Sequence, residues 1–101
     1  MYTVIRHYQS APTLANELTR HSKDIEALIS VIPGFVAYYL VQTDGGAASV
    51  TVCEDRAGCD ASTQKAGEWI RQNLPDLNIP APHMLAGDIA ITFASARTTS
   101  V

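Results

Sequence analysis

The most constraining feature of this sequence is a long hairpin pattern that contains almost no charge. The segment FVAYYLVQTDGGAASVTVCE reads as two β-rich runs joined by the turn signal Thr-Asp-Gly-Gly. Asp44, in that turn, is the only charged residue from Phe35 to Val52. Successive side chains of a strand point to opposite faces, so a strand with one wet face carries polar side chains at every second position. The pattern therefore predicts a hairpin that is covered by protein on both faces.

Composition limits the class of protein. The chain has 101 residues, with 47% hydrophobic and 17% charged, which is typical of one compact folded domain. Its formal net charge is −3 and its seven Lys and Arg residues are scattered. Because nucleic acids and anionic membranes require a clustered basic field, neither is an expected partner.

The chain also lacks the sequence signals for secretion and for membrane insertion. Its opening, MYTVIRHY, has no basic start followed by an apolar run, and its longest apolar run is broken by Pro33-Gly34. We therefore expect a cytoplasmic protein, in which Cys53 and Cys59 are reduced.

The order of predicted elements indicates a fold class. The expected elements are a strand Tyr2–Tyr8, a helix from Pro12 to about Val31, the two hairpin strands, a helix from Asp55 or Asp60 to Leu74, and a last strand Leu85–Ala94. This is the split βαβ, ferredoxin-like α+β pattern βαββαβ, an antiparallel sheet with both helices on one face. We expect one domain over residues 1–96 and a polar tail over residues 97–101.

Two helices cover only one face of such a sheet. In the third strand Val50 and Val52 alternate with Ser49, Thr51 and Cys53, and we expect the larger aliphatic side chains to meet the helices. The same reasoning assigns the isoleucines and Phe93 of the last strand to the helix side. The second row is small and neutral, which indicates a further protein layer. A second copy of the chain is the simplest supplier, so the sequence predicts a homodimer.

Three segments of the chain together resemble a known family. MYTVIRHY as first strand, IPGFVAYYLVQTDGGAASVTVCED across the hairpin and STQKAGEWIRQNLP as second helix are similar to the antibiotic-biosynthesis-monooxygenase-like (ABM) domain of the dimeric α/β-barrel superfamily. The resemblance implies dimerisation through the uncovered sheet face into an α/β barrel. It also implies a pocket in each subunit between helices and sheet. Members include cofactor-independent monooxygenases that act on phenolic polycyclic compounds, haem-degrading enzymes, and proteins without known activity.

The haem-degrading branch would require an Asn on the first strand, a Trp on the second helix and a His beyond it. This chain has His7 at the first place, Trp69 at the second and His83 in a loop. Because the Asn is missing and the His is displaced, haem is disfavoured and no cofactor is expected. The histidines and acidic residues show no spacing typical of a metal site, so no metal is expected either.

His7 and Trp69 are the candidate catalytic residues. His7 could act as the base that ionises a phenol, and its alternative role is that of a strand histidine bonded to a carbonyl. Arg6 is its neighbour and must point to the opposite face, so only one of the two can line the pocket. Trp69 is either a core anchor or a flat wall for an aromatic ligand.

The candidate pocket residues are Tyr38, Tyr39, His21 and His83. Tyr38 and Tyr39 face opposite ways, so one is expected inside the subunit and the other in the dimer layer. The resulting hypothesis is a small homodimer that binds a small aromatic compound and oxidises it without a cofactor. The alternative is a non-catalytic dimeric module, either a ligand carrier or a structural and interaction protein.

Overall fold

The computed structural model describes residues 1–95, and the tail predicted over residues 97–101 lies outside them. In chain order the elements are β1 Tyr2–Tyr8, α1 Leu14–Arg20, α2 Ser22–Ile29, β2 Phe35–Thr43, β3 Gly46–Cys53, α3 Arg56–Asn73, a 3-10 turn Pro75–Leu77 and β4 His83–Asp88. The four strands form one antiparallel sheet in the order β2-β3-β1-β4. Helix α3 packs on β1 and β3, and α1 packs on β2 and β3. The predicted ferredoxin-like α+β class is confirmed.

The predicted first helix is two helices that meet at His21. That residue ends α1 and precedes α2, with φ −105° and ψ 27°. One physical reason is local hydrogen bonding: the Thr19 hydroxyl donates to the Ala15 carbonyl at 2.7 Å, a back-bond that bends helices. The break turns α2 relative to α1 over the strand β2.

The hairpin follows the sequence closely. β2 ends at Thr43 and β3 begins at Gly46, so the turn is Asp44-Gly45, and Gly45 has the positive φ of 75° that the turn requires. A Cβ at Gly46 would lie 1.9 Å from the carbonyl oxygen of Tyr8, so only glycine permits β1 and β3 to approach there.

The last strand is shorter and earlier than predicted. β4 runs from His83 to Asp88 because its partner β1 begins at Tyr2, which pairs with Asp88. Beyond that pair, the Ile89 amide donates to the Met1 carbonyl at 2.9 Å. Ile91 and Phe93 are 82% and 86% exposed, so the prediction that they meet the helices was wrong.

The assignment of side chains to the two sheet faces was also wrong. β1 and β3 alternate regularly between buried and half-buried residues, and the helices cover the polar row rather than the valines. We call the helix-covered side the covered face; its residues include Val4, Arg6, Tyr8, Tyr38, Leu40, Ser49, Thr51 and Cys53. The opposite side is the open face; its residues include Thr3, Ile5, His7, Ala37, Tyr39, Val41, Ala48, Val50, Val52, His83 and Leu85. The physical reason is Arg6, which requires hydroxyl partners on the covered face.

The hydrophobic core lies between the covered face and the helices. Its buried centre includes Tyr8, Leu14, Leu18, Ala47 and Leu74, with Trp69 and Ile70 of α3 packed against it. Within residues 1–95, no helix is both long and apolar enough to span a bilayer.

Candidate functional site

A cavity of about 460 Å³ lies between α1, α2 and β2. This volume falls in the range of small-molecule pockets. Its lining is apolar at the wall and polar at the rim; the residues are Leu18, Thr19, Ser22, Ile25, Glu26, Ile29, Ser30, Phe35, Tyr38 and Leu40. The turn of the chain at His21 places both helices along one side of β2, and this arrangement forms the cavity.

A much smaller void of about 20 Å³ continues under the helices toward α3. It shares Leu18, Ile25, Ile29 and Tyr38 with the large cavity and is also lined by Tyr8, Ser49 and Trp69. This volume holds about one water molecule. The immediate surroundings of Trp69 are therefore packed, and the space for a ligand lies on the α2 side.

Arg6 is the most unusual side chain on the covered face. It is only 1% exposed, and each of its hydrogen bonds within residues 1–95 goes to a neutral hydroxyl. The bonds are Nε to Ser49 at 3.0 Å, Nη1 to Ser62 at 3.1 Å and to Thr63 at 2.8 Å, and Nη2 to Thr51 at 2.8 Å. None of the ion pairs found within residues 1–95 includes Arg6. The guanidinium is thus hydrogen-bonded but has no carboxylate partner in that part of the chain.

Two phenols lie in the field of Arg6. Burial raises the pKa of Tyr8 and of Tyr38, and the charge of Arg6 offsets part of each increase. A hydrogen bond with Ser49 also lowers the pKa of Tyr38. Both phenols are therefore protonated at neutral pH, and Tyr38 offers a hydroxyl donor at the cavity wall.

His21 stands where α1 meets α2. Its ring packs edge-on against the Trp69 ring, with centroids 5.2 Å apart and an interplanar angle of 67°. Its Nδ1 lies 3.4 Å from the Asp24 carboxylate, and its Nε2 has no hydrogen-bond partner within residues 1–95. Leu18 and Ser22, on either side of it in sequence, line the large cavity.

The residues predicted for the site are divided between the two faces. Tyr38 lines the cavity, and Trp69 and His21 lie together beside it. His7 lies on the open face, where it pairs in register with His83 of β4, and Tyr39 is on the same face and 60% exposed. The structure therefore does not bring His7 and Trp69 together within one subunit.

Sequence reasoning left Arg6 as an open alternative to His7 and did not identify its hydroxyl partners. A signal was present in β1: Arg6 alternates in step with Val4 and Tyr8, the bulky residues that the core requires. The partners are 43 to 57 residues away in sequence, so their convergence follows from the tertiary fold. Within residues 1–95, no group of three or more His, Cys, Asp or Glu side chains is placed to hold a metal ion.

Comparison with known proteins gives matches at the level of structure only. No protein-family model matches the chain, and no curated protein matches its sequence. Nineteen chains of solved structures match it.

Three of these structures illustrate the likeness. The haem degrader MhuD of Mycobacterium tuberculosis, with two haems bound in its active site, is 14% identical over 93% of this chain and 100% of its own, with a TM-score of 0.65. A monooxygenase from the gene ActVA-Orf6 of Streptomyces coelicolor, in complex with nanaomycin D, is 16% identical over 94% and 91%, with a TM-score of 0.63. A protein described as an antibiotic biosynthesis monooxygenase is 18% identical over 90% and 100%, with a TM-score of 0.62.

The prediction that this chain has no cofactor, with haem disfavoured, is contradicted by these findings. Solved structures with haem or manganese protoporphyrin IX bound in the active site share this fold over nearly the whole chain. The missing first-strand Asn is therefore not a sufficient reason to exclude a porphyrin from a protein of this architecture.

The remaining part of the resemblance is supported by the same structures. A protein described as an antibiotic biosynthesis monooxygenase and the ActVA-Orf6 monooxygenase share the fold of this chain over at least 90% of its length. This chain has the ABM-like fold.

Proposed function

We propose that this protein is a homodimer that binds a planar aromatic compound in the cavity between α1, α2 and β2, and that it oxidises this compound. The observation that carries the proposal is the cavity itself, about 460 Å³ with an apolar wall that includes Phe35 and the phenol of Tyr38. Such a wall suits a flat ligand, because aromatic rings pack face to edge or offset against one another.

The polar groups of the cavity suit a phenolic ligand. The protonated Tyr38 hydroxyl can donate a hydrogen bond to a ligand oxygen. Glu26 supplies a carboxylate in the lining that can accept the proton of a phenol. The phenolate so formed is the electron-rich species that reacts with dioxygen. Toward α3, Trp69 lines the small void next to this cavity, and His21 packs against its ring.

The homodimer is proposed from the open face. Tyr39 and Leu85 are each 60% exposed and Val41 is 48% exposed. No Asp, Glu, Lys or Arg belongs to the described strand positions of this face. A contiguous apolar patch of this kind marks an interaction surface. Because the neighbouring structures share the fold, a second copy is the simplest partner, and His7, His83 and Tyr39 would then lie at its interface.

The test of binding uses a panel of hydroxyanthrones and isothermal titration calorimetry. Ile25→Phe places a larger side chain in the cavity wall and should weaken binding at least about tenfold, since the ligand loses its space. The matched control is Ala27→Phe, on the exposed side of the same helix, which should bind as the wild type does. Absence of binding by the wild type across the panel would refute the proposed ligand class.

Oxygen consumption with the same panel separates an oxygenase from the non-catalytic carrier. Turnover that falls in Ile25→Phe supports oxidation in this cavity, and binding without turnover favours the carrier. The cytoplasmic location stays a prediction.

A porphyrin is the second candidate ligand. The residues present fit one because His21 has the arrangement of metal-binding histidines, in which one ring nitrogen faces a carboxylate and the other is available. His21 would hold the metal and the apolar cavity wall would hold the macrocycle. When bound, haem would supply iron-based redox chemistry with dioxygen.

The test is titration with haem while the Soret band is recorded. His21→Ala should change the position of that band and weaken binding, and Lys23→Ala, a change at an exposed residue on the first turn of α2, should do neither. A Soret band that is identical in wild type and His21→Ala would show that His21 does not hold the metal.

A further inference from the structure

The buried guanidinium of Arg6 has no negative charge to balance it in the part of the chain that the structure describes. It is 1% exposed and bonded to Ser49, Thr51, Ser62 and Thr63, all of them neutral. Taking a charge out of water is costly, and hydroxyl dipoles compensate only part of the cost. A structural role alone would be served as well by an apolar side chain among apolar neighbours, so the retained charge requires another explanation.

Three titratable groups whose pKa is lowered by the charge of Arg6 do not supply the missing charge. They are the phenols of Tyr8 and Tyr38 and the thiol of Cys53. Burial is the largest influence on each and raises the pKa, to about 11 for Cys53. All three are therefore protonated and neutral at physiological pH.

Two side chains, Ser49 and Tyr38, lie between the charge of Arg6 and the ligand cavity. Ser49 accepts a hydrogen bond from Arg6 Nε at 3.0 Å and also lines the small void. Tyr38 lines the void together with Ser49, whose hydroxyl lowers the pKa of Tyr38, and it also lines the large cavity. The hydroxyl groups of Ser49 and Tyr38 thus lie in succession between the guanidinium of Arg6 and the ligand cavity.

We propose that Arg6 determines the charge of the ligand: the cavity takes an aromatic compound that carries an ionised oxygen, and this oxygen lies against the hydroxyl of Tyr38. The inference rests on the proposed function and adds the ionisation state of its ligand. Arg6 acts through Ser49 and Tyr38, so it is a specificity-determining residue and not one that contacts the ligand. A cation behind the wall stabilises an anion in the cavity because the surrounding medium screens little. The same field favours ionisation of a bound phenol.

The test uses two ligands of nearly the same shape that differ in charge, naphthalene-2-carboxylate and naphthalene-2-carboxamide. Calorimetry at neutral pH should show the carboxylate binding at least about tenfold more tightly to the wild type. Arg6→Gln should remove this preference while both ligands still bind. The matched control Arg56→Gln removes a positive charge at an exposed site, 74% exposed, and should keep the preference.

A second measurement covers the case in which Arg6→Gln does not fold. The absorbance of bound 2-naphthol, recorded against pH, should show a pKa lower than in water by about one unit, the equivalent of a tenfold stabilisation of the anion. Tyr38→Phe retains all four hydrogen bonds of Arg6 and removes only the hydroxyl at the cavity wall, so it should reduce this shift.

The failures of the two proposals are distinguishable. Equal affinity for carboxylate and carboxamide, together with an unshifted pKa of 2-naphthol, would overturn the role of Arg6 and leave aromatic binding intact. If neither naphthalene ligand nor any hydroxyanthrone binds, the cavity is not an aromatic site and both proposals fall.

Discussion

The two faces of the sheet differ in the opposite sense from a sheet with one solvated face: the buried face is rich in polar side chains and the exposed face in apolar ones. The covered face buries a guanidinium and a row of hydroxyls, among them Thr51 at 0% and Ser49 at 3% exposure. The open face displays Ile5, Val50 and Tyr39 across neighbouring strands. A polar network is tolerated inside because its hydrogen bonds are made, whereas an exposed apolar surface is typical of an interaction site. In the proposals made above, the covered face determines which ligand binds and the open face determines assembly.

The largest expected effect comes from placing a charge on the open face. Val50 pairs in register with Ile5 of β1 and Tyr39 of β2, at the middle of this surface. In a symmetric dimer Val50→Glu buries two carboxylates, so the dissociation constant should rise by about a thousandfold or more. Sedimentation equilibrium measures the change. Val31→Glu, at a residue that is 68% exposed and outside the sheet, should stay dimeric.

If the wild-type chain sediments as a stable monomer at micromolar concentration, the open face is not a dimer interface. The open face would then be a tolerated apolar surface, and assembly would not distinguish it from the covered face.

The next largest effect is expected on the covered face. Arg6→Met leaves the hydroxyls of Ser49, Thr51 and Ser62 buried without their donor, so the free energy of unfolding should fall by about 3 kcal/mol. Urea denaturation followed by circular dichroism measures this. Arg56→Met, at an exposed ion pair, should change it by less than about 0.5 kcal/mol. A midpoint unchanged in Arg6→Met would mean that the network adds nothing to stability.

The sequence predicted the order of the elements but not the face to which each strand row belongs. The turn Asp44-Gly45 and the stop at Pro33-Gly34 are local signals, and the hairpin lies where they predict. The assignment of faces by side-chain size failed in β3, because the valines were expected to be the buried row. Arg6 reverses that preference through hydrogen bonds to residues at least 43 positions away, which no local pattern records.

The candidate site was predictable to a similar extent. Aromatic character suggested Tyr38, Tyr39 and Trp69 as pocket residues; Tyr38 lines the cavity and Trp69 lines only the small void. The cavity itself depends on the break between α1 and α2 at His21. The spacing of hydrophobic residues does not reveal this break, because it is accompanied by a hydrogen bond from the Thr19 side chain to the backbone. The separation of His7 from Trp69 depends on strand parity, which the sequence alone left undecided.

The dependence of stability on alkaline pH tests the burial of Cys53 on the covered face. Burial, together with the neighbouring Cys59 thiol, raises the pKa of Cys53 from 9.0 to about 11. Below pH 9 the thiol is protonated in both states; between pH 9 and 11 only the unfolded chain releases the proton, so the folded state loses stability as pH rises. The loss should reach about 2 kcal/mol near the upper end of that interval.

The control for this titration is Cys53→Ala, which should start from a lower stability and decline less steeply over the same interval. Tyr8 and Tyr38 also have raised pKa values and add to the decline in both proteins. Only the difference between the two curves reports on Cys53. Parallel curves would show that the thiol ionises equally in the folded and unfolded states.

The smallest expected effect is a difference in stability between variants of two hydroxyl residues that accept a hydrogen bond from the same nitrogen atom. Ser62 and Thr63 both receive a hydrogen bond from Arg6 Nη1, at 3.1 and 2.8 Å. Ser62 is 0% exposed and also donates to the Cys59 carbonyl at 2.7 Å, whereas Thr63 is only half-buried. Ser62→Ala should therefore lower the free energy of unfolding by about 1 to 1.5 kcal/mol.

Thr63→Ala should lower the free energy of unfolding by less than about 0.5 kcal/mol, because water can replace an acceptor that is partly exposed. Urea denaturation of the two variants resolves this difference. The shorter bond belongs to the residue with the smaller expected effect, so the pair separates burial from hydrogen-bond length as the source of stability. If both variants lose the same free energy of unfolding, burial of the acceptor does not determine how much each hydrogen bond to Arg6 stabilises the protein.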